Sequence, residues 1–285
     1  MILYSQLCTP LQHLRIPFLC DCIFVNQKLV LIGGSHPSDN VLIKTVFIYN
    51  FLSAKWSRGA DMPTARISPA FSVSPEGLIY VAGGEDEDEN GLRGAEVYSV
   101  EEDEWKVLPD MNKERKHCLG VFNDGKFVVI DSKLNGDLIE RSAEVYDPKG
   151  GAWTTIQKGE IPPVFDCVIA SSNGARFFSV EKQHEGVMEY DSKKNVWRAL
   201  CSFPETLGMW NDRVPKITSC GVWRDRIFVS GYAKGSRDDE VFYMLKPLPI
   251  GSASGAAKWE AIERPQHSPV DYVQRGILFA LTVEI

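Results

Sequence analysis

The residues able to do chemistry are scattered along this chain. The five histidines, His13, His36, His117, His184 and His267, fall in different stretches, and no two stand at metal-ligand spacing. The seven cysteines, Cys8, Cys20, Cys22, Cys118, Cys167, Cys201 and Cys220, include no Cys-x-x-Cys pair. Cys20-Asp21-Cys22 has no His-rich segment to complete a zinc site, so the thiols read as reduced and buried. The glycine pairs Gly33-Gly34 and Gly83-Gly84 lack both the G-x-G-x-x-G spacing and the following helix that would cradle a phosphate. The Ser-x-Asp-x-Gly-x-x-Trp pattern of sialidases is absent. The expectation is no catalytic set, no metal and no cofactor. One charge feature stands out, the run Glu85-Asp86-Glu87-Asp88-Glu89. It lacks the offsets of a calcium-binding EF-hand loop and reads as a solvated loop able to steer a basic ligand.

Composition narrows the classes further. Of 285 residues, 44% are hydrophobic and 24% charged, ordinary for a globular chain. The net charge of −7 argues against nonspecific affinity for nucleic acid or anionic membrane. The apolar run Phe18–Val25 is broken by Asp21, and Ile277–Val283 is short. Neither approaches the ~18 residues of a membrane-spanning helix. Met1–Pro10 lacks the basic and apolar regions of a secretory signal. A cytoplasmic or nuclear location is expected.

What would position any site is a repeat. A Tyr is followed seven residues later by a Trp at Tyr49/Trp56, Tyr98/Trp105, Tyr146/Trp153 and Tyr190/Trp197. A fifth copy, Tyr243/Trp259, is stretched by the insertion Gly251–Ala257. Upstream of the first two Tyr residues, an apolar run ends in a glycine pair, Leu29–Gly34 and Leu78–Gly84. Degenerate versions are Phe127–Asp131, Phe177–Val180 and Ile227–Gly231. Asn26-Gln27, Pro75-Glu76-Gly77, Asn123-Asp124-Gly125, Asn173-Gly174 and Arg224-Asp225 supply turns, most with residues that tolerate positive φ. Each unit thus reads as four short strands, and a four-stranded sheet cannot bury both its faces alone. Stacking the copies around an axis buries them. The Trp residues read as structural, buried between blades, with an upper bound on the order of 4–6 kcal/mol each.

The fold expected is all-β, a single six-bladed propeller over 1–285. Its repeats span approximately 16–61, 62–110, 111–161, 162–204 and 213–265. The sixth blade combines 1–15, where Leu11 follows Tyr4 by seven, with 266–285. Such a closure pairs the open edges.

The glycine pairs, the Tyr-x6-Trp spacing, and the segments Met62-Pro-Thr-Ala-Arg66 and Met111-Asn-Lys-Glu-Arg115 resemble kelch repeats. Val46–Asn50, Trp56–Pro63, Val81–Gly84 and the terminal Val283-Glu-Ile285 are similar to plant F-box/kelch-repeat proteins. In that family an F-box bundle docks on a Skp-type adaptor of a cullin ubiquitin ligase, and the propeller binds the protein to be ubiquitinated. Members are associated with turnover of phenylpropanoid enzymes and cytokinin response regulators. The resemblance therefore implies a non-catalytic, protein-binding substrate receptor. Only about 15 residues precede the first repeat and they read as propeller strands, so no F-box is expected here, and a Skp-type partner would require one upstream. The alternative is a stand-alone kelch-fold enzyme or a metal-dependent specifier. The Glu-x3-Asp-x3-His iron pattern of some plant kelch proteins has no match in the chain.

In kelch propellers the crossings from an outer strand to the next inner one share a face with the loops after the glycine pairs. Here those crossings carry Arg15, Arg66, Arg115, Lys116, His117 and Arg213, together with Trp210. One reading is a binding mouth for a protein partner that offers an acidic segment, since Arg forks suit carboxylates. The other is that each repeat's Arg packs over a neighbouring blade for structural reasons.

Overall fold

The computed structural model describes residues 17, 20–36, 39, 41–135, 138–156, 168–170, 177–181, 186–191, 196–211, 214–215, 217–223, 226–236, 240–246 and 258–262. Cα packing divides the chain into two compact units, Met1–Ile161 and Pro162–Ile285. Both are built from antiparallel four-stranded meanders in a kelch-type propeller arrangement, with no helix among the described residues.

The first unit holds three blades. They are β1–β4 (Asp21–Val25, Lys28–Ile32, Val46–Asn50, Lys55–Gly59), β5–β8 (Ala70–Val73, Leu78–Ala82, Ala95–Ser99, Glu104–Leu108) and β9–β12 (Leu119–Asn123, Lys126–Asn135, Leu138–Asp147, Ala152–Ile156). Asn26, Asp124 and Gly125 take the turn conformation their residue types favour, and Gln27 follows Asn26 into it. Asn26 and Gln27 both take positive φ, as do Asp124 and Gly125, which is the backbone a tight two-residue hairpin requires. The second unit holds β13–β16 (Val168–Ala170, Phe177–Glu181, Gly186–Asp191, Val196–Ser202). A short pair, β17 (Met209–Asn211) and β18 (Val214–Pro215), precedes the last sheet, β19–β22 (Ile217–Trp223, Arg226–Tyr232, Glu240–Leu245, Trp259–Ile262). Five four-stranded blades are thus described. The expected sixth, from 1–15 and 266–285, lies outside the described residues.

Burial follows the two-residue period of strands packed on both sides. In β6, Ile79 and Val81 join Val30, Ile32, Val46 and Ile48 of the first blade. The alternate residues Tyr80 and Ala82 join Phe122, Phe127 and Val129 of the third. A middle strand sandwiched this way loses the polar alternation of a half-exposed strand, hence the continuous apolar runs. In the second unit, Phe178, Val187 and Leu200 meet Ile227, Val229 and Leu245. The inner strands β5 and β9 lie side by side, and a Cβ on Gly120 would sit 2.6 Å from the Phe71 backbone nitrogen.

The aromatic repeat has a cross-strand meaning. Tyr49 pairs with Trp56, Tyr98 with Trp105, Tyr146 with Trp153 and Tyr190 with Trp197, all between the third and fourth strands. The first three pairs hold their rings 5.2, 4.7 and 5.3 Å apart. Tyr49, Tyr98 and Tyr146 are the buried members. The four Trp residues, expected to be buried, stand half-buried on the outer strand. The reason is that the outermost strand has solvent beyond it; in Trp105, Trp153 and Trp259 the indole is also held by its edge. Trp105 Nε1 donates to the Ala60 carbonyl at 2.9 Å, Trp153 Nε1 to Pro109 at 2.7 Å and Trp259 Nε1 to Ser202 at 2.7 Å. Each bond ties one blade to the preceding one.

Candidate partner-binding face

The loops after the second strands and the crossings between blades share one face of the first unit. The glycine pairs shape it. Gly33, Gly34, Gly83 and Gly84 all have positive φ, and a Cβ on Gly84 would lie 2.6 Å from the Ile67 carbonyl oxygen. The chain turns there because only glycine fits both the φ and the contact.

Beneath this face lie two arginines that the sequence offered as partner contacts. Arg66 is 1% exposed and Arg115 is fully buried. Arg66 donates through Nη1 to the Gly83 and Gly94 carbonyls, both at 2.9 Å, and through Nη2 to Glu96 Oε1 at 2.9 Å. Arg115 bonds Glu144 Oε1 through Nε and Nη2 at 3.3 and 3.0 Å, and Nη1 reaches the Ser142 carbonyl and hydroxyl. Glu144 also accepts from the Asn112 and Lys113 backbones and from Asn112 Nδ2. Both arginines therefore link a crossing to the third strand of the blade it enters, and neither reaches a partner. This corrects their assignment as contacts. Burial lowers the Arg66 pKa, and the charge of Glu96 opposes that shift. The partner glutamates were missed, although a charged residue inside the apolar Ala-Glu-Val-Tyr strand of the second and third blades was the available signal.

Lys116 and His117 are exposed. Lys116 Nζ donates to the Glu89 carbonyl, and His117 Nε2 lies 2.8 Å from Glu85 Oε1 with its side chain 72% open to solvent. Arg15 and Arg213 lie outside the described residues, and Trp210 falls on β17. The acidic run is the loop between β6 and β7. Asp86 accepts from the Asn90 and Asp88 backbone N–H groups and from Asn90 Nδ2, bonds that hold its carboxyl below the usual range. With the two arginines buried, Asp86–Glu89, Asp110 and Glu114 outnumber Arg93, Lys113 and Lys116 around this loop and the adjoining crossing. Among the described residues the charge balance at this loop and crossing is acidic, where a cationic mouth was expected.

No group of three His, Cys, Asp or Glu among the described residues could hold a metal. A cavity lined by Asp21, Ile32, Met62, Arg66, Pro69, Phe71 and Val81 has a volume of about 10 Å³. That is room for about one water. Burial pushes the Asp21 carboxyl up to about 7. The face offers exposed loops and an ordered rim, the geometry of a surface for another macromolecule.

Comparison with known proteins agrees on the class. The kelch motif model matches residues 19–63 and 66–112, which cover the first two blades. The chain carries kelch repeats and is similar to plant F-box/kelch-repeat proteins. One, F-box/kelch-repeat protein SKIP20 of Arabidopsis thaliana, is 36% identical over 88% of this chain and 64% of its own length. Another, F-box/kelch-repeat protein At1g80440 of the same species, is 33% identical over 56% of this chain and 46% of its own. The chain spans less than two thirds of the length of these relatives. A solved structure titled "Structure of YjhT" matches with a TM-score of 0.55 over 80% of this chain and 81% of that one. At 14% identity the likeness speaks to the fold alone. No helix among the described residues is long and apolar enough to cross a membrane.

Proposed function

We propose that this chain is the substrate-recognition part of an SCF-type ubiquitin ligase receptor, a non-catalytic module that binds the protein to be ubiquitinated. The observation that carries the reading is similarity to an F-box/kelch-repeat protein over 88% of the chain. The contact face is that of the glycine-pair loops, where Lys116 and His117 are exposed and Arg66 and Arg115 hold the blades beneath. The compartment of action is the cytoplasm, the nucleus or both.

The test is to clone the full transcript that encodes this sequence, express its product in plant cells, and probe purified complexes for a Skp-type adaptor and a cullin. Co-purification of both, with ubiquitin transfer to a captured protein, is the expected result. A full-length product that binds neither would overturn the reading.

A further inference from the structure

The third blade departs from the repeat. Its second and third strands, β10 and β11, run for ten residues each where those of the first two blades run for five. Leu119–Asn123 pairs with β10 only as far as Ile130, and β12 pairs with β11 only from Ala143 onward. The remainder, Asp131–Asn135 against Leu138–Ser142, is a two-stranded ribbon. Among the described residues neither of its outer edges has a strand partner.

Among the described residues the β10 edge over Asp131–Asn135 has no strand partner, and the course of the chain ahead of β9 accounts for it. The chain ahead of β9 is bonded into the second blade instead of continuing along β10. Cys118 N–H donates to the Ser68 carbonyl, Arg115 N–H to Leu92, and Gly84 N–H to the Arg115 carbonyl. His117, with φ of 48°, turns the chain out of the β9 line. At the base, Arg115 fixes Ser142, the residue opposite Asp131. The ribbon therefore starts from an anchored base, and along β10 it has a row of backbone N–H and C=O groups that no strand pairs among the described residues. A ribbon of two strands is marginal in water, and a third strand is what stabilises it.

We infer that β10 over Asp131–Asn135 is a docking strand for an extended, basic segment of a partner protein, which adds antiparallel to it in the line that β9 vacates. Backbone pairing supplies the attachment, as in other cases of strand addition. Charge selects the partner. The acidic loop Glu85–Glu89 is tied to the same crossing, by Lys116 to the Glu89 carbonyl and by His117 to Glu85, and Glu114 lies on that crossing. An incoming strand thus passes beside more exposed carboxylates than cations, which favours Lys and Arg on it. This rests on the reading of the chain as a protein-binding module.

A short fluorescent peptide of alternating Lys and Val serves as the probe, measured by anisotropy at two salt concentrations and by hydrogen exchange. It should bind, and it should slow exchange at the amides of Asp131–Asn135. An alternating Glu-Val peptide should bind at least about tenfold more weakly. A Lys-Val peptide N-methylated at alternate residues along one edge should not bind. In a trimmed protein, Asn-Gly replaces 132–141, joining the paired positions Asp131 and Ser142 by a two-residue turn; it should fold, by its melting curve, and lose the peptide. No binding by the Lys-Val peptide, or equal binding by the trimmed protein, overturns the inference. Equal affinity for the Glu-Val peptide overturns its charge selection. If the trimmed protein still captures the substrate found in the ligase experiment, the docking strand fails while the receptor reading stands.

Discussion

Replacing Arg115 with Met separates a scaffold arginine from a contact arginine. The guanidinium is fully buried and bonds Glu144, itself fully buried, and Ser142. Removing the cation leaves a carboxylate in the blade interior, with the Asn112 and Lys113 donors as its remaining partners. Breaking such a pair from one side costs about 3–5 kcal/mol, a large fraction of a domain's ~5–15 kcal/mol. The double change Arg115→Met with Glu144→Leu should recover part of this, because no charge is then stranded. Recovery should be incomplete, since Glu144 also serves backbone N–H groups that leucine cannot. The pair Arg66/Glu96 provides the contrast. Glu96 Oε2 has no hydrogen-bond partner, and its Oε1 bonds Arg66. Arg66→Met with Glu96→Leu should therefore lie closer to wild type than the Arg115 double variant, by roughly 1–2 kcal/mol. Urea unfolding followed by Trp fluorescence reads all of these. If Arg115→Met costs less than about 1 kcal/mol, the scaffold role is refuted and the side chain is available for a partner after all.

Trp105→Phe should keep the stack on Tyr98 but lose the bond to Ala60, costing about 1 kcal/mol in the same assay. Gly120→Ala should destabilise by about 1–3 kcal/mol, because its Cβ would meet the Phe71 backbone; Gly125→Ala, where nothing lies within 4 Å, should cost only the strain of its positive φ. Asp21 holds its proton in the folded chain up to about pH 7, whereas an ordinary Asp releases it near 3.8. The Asp21 contribution to stability should therefore be fullest below about 3.8 and decline as pH rises towards 7, so that the difference in melting temperature between the wild type and Asp21→Asn should shift against the wild type across that range.

The sequence by itself determined the repeat. Tyr and Trp at a spacing of seven place the pair opposite each other across one tight turn, and apolar runs ending in Gly-Gly mark strands buried on both faces. The turns at Asn26-Gln27 and Asp124-Gly125 were equally legible, because the φ they need is a property of the residue and its neighbour. The extended hairpin was missed, although Gly136-Asp137 between two β-prone runs is a hairpin signal. What the tertiary structure alone decided is which charges face a partner. A guanidinium is as well suited to a carboxylate on another protein as to one in its own strand, and spacing along the chain does not distinguish them. Arg66 and Glu96 stand 30 residues apart, and Arg115 and Glu144 stand 29 apart, distances across which only the packed blade brings them together. That burial removes two of the expected cations from the exposed face.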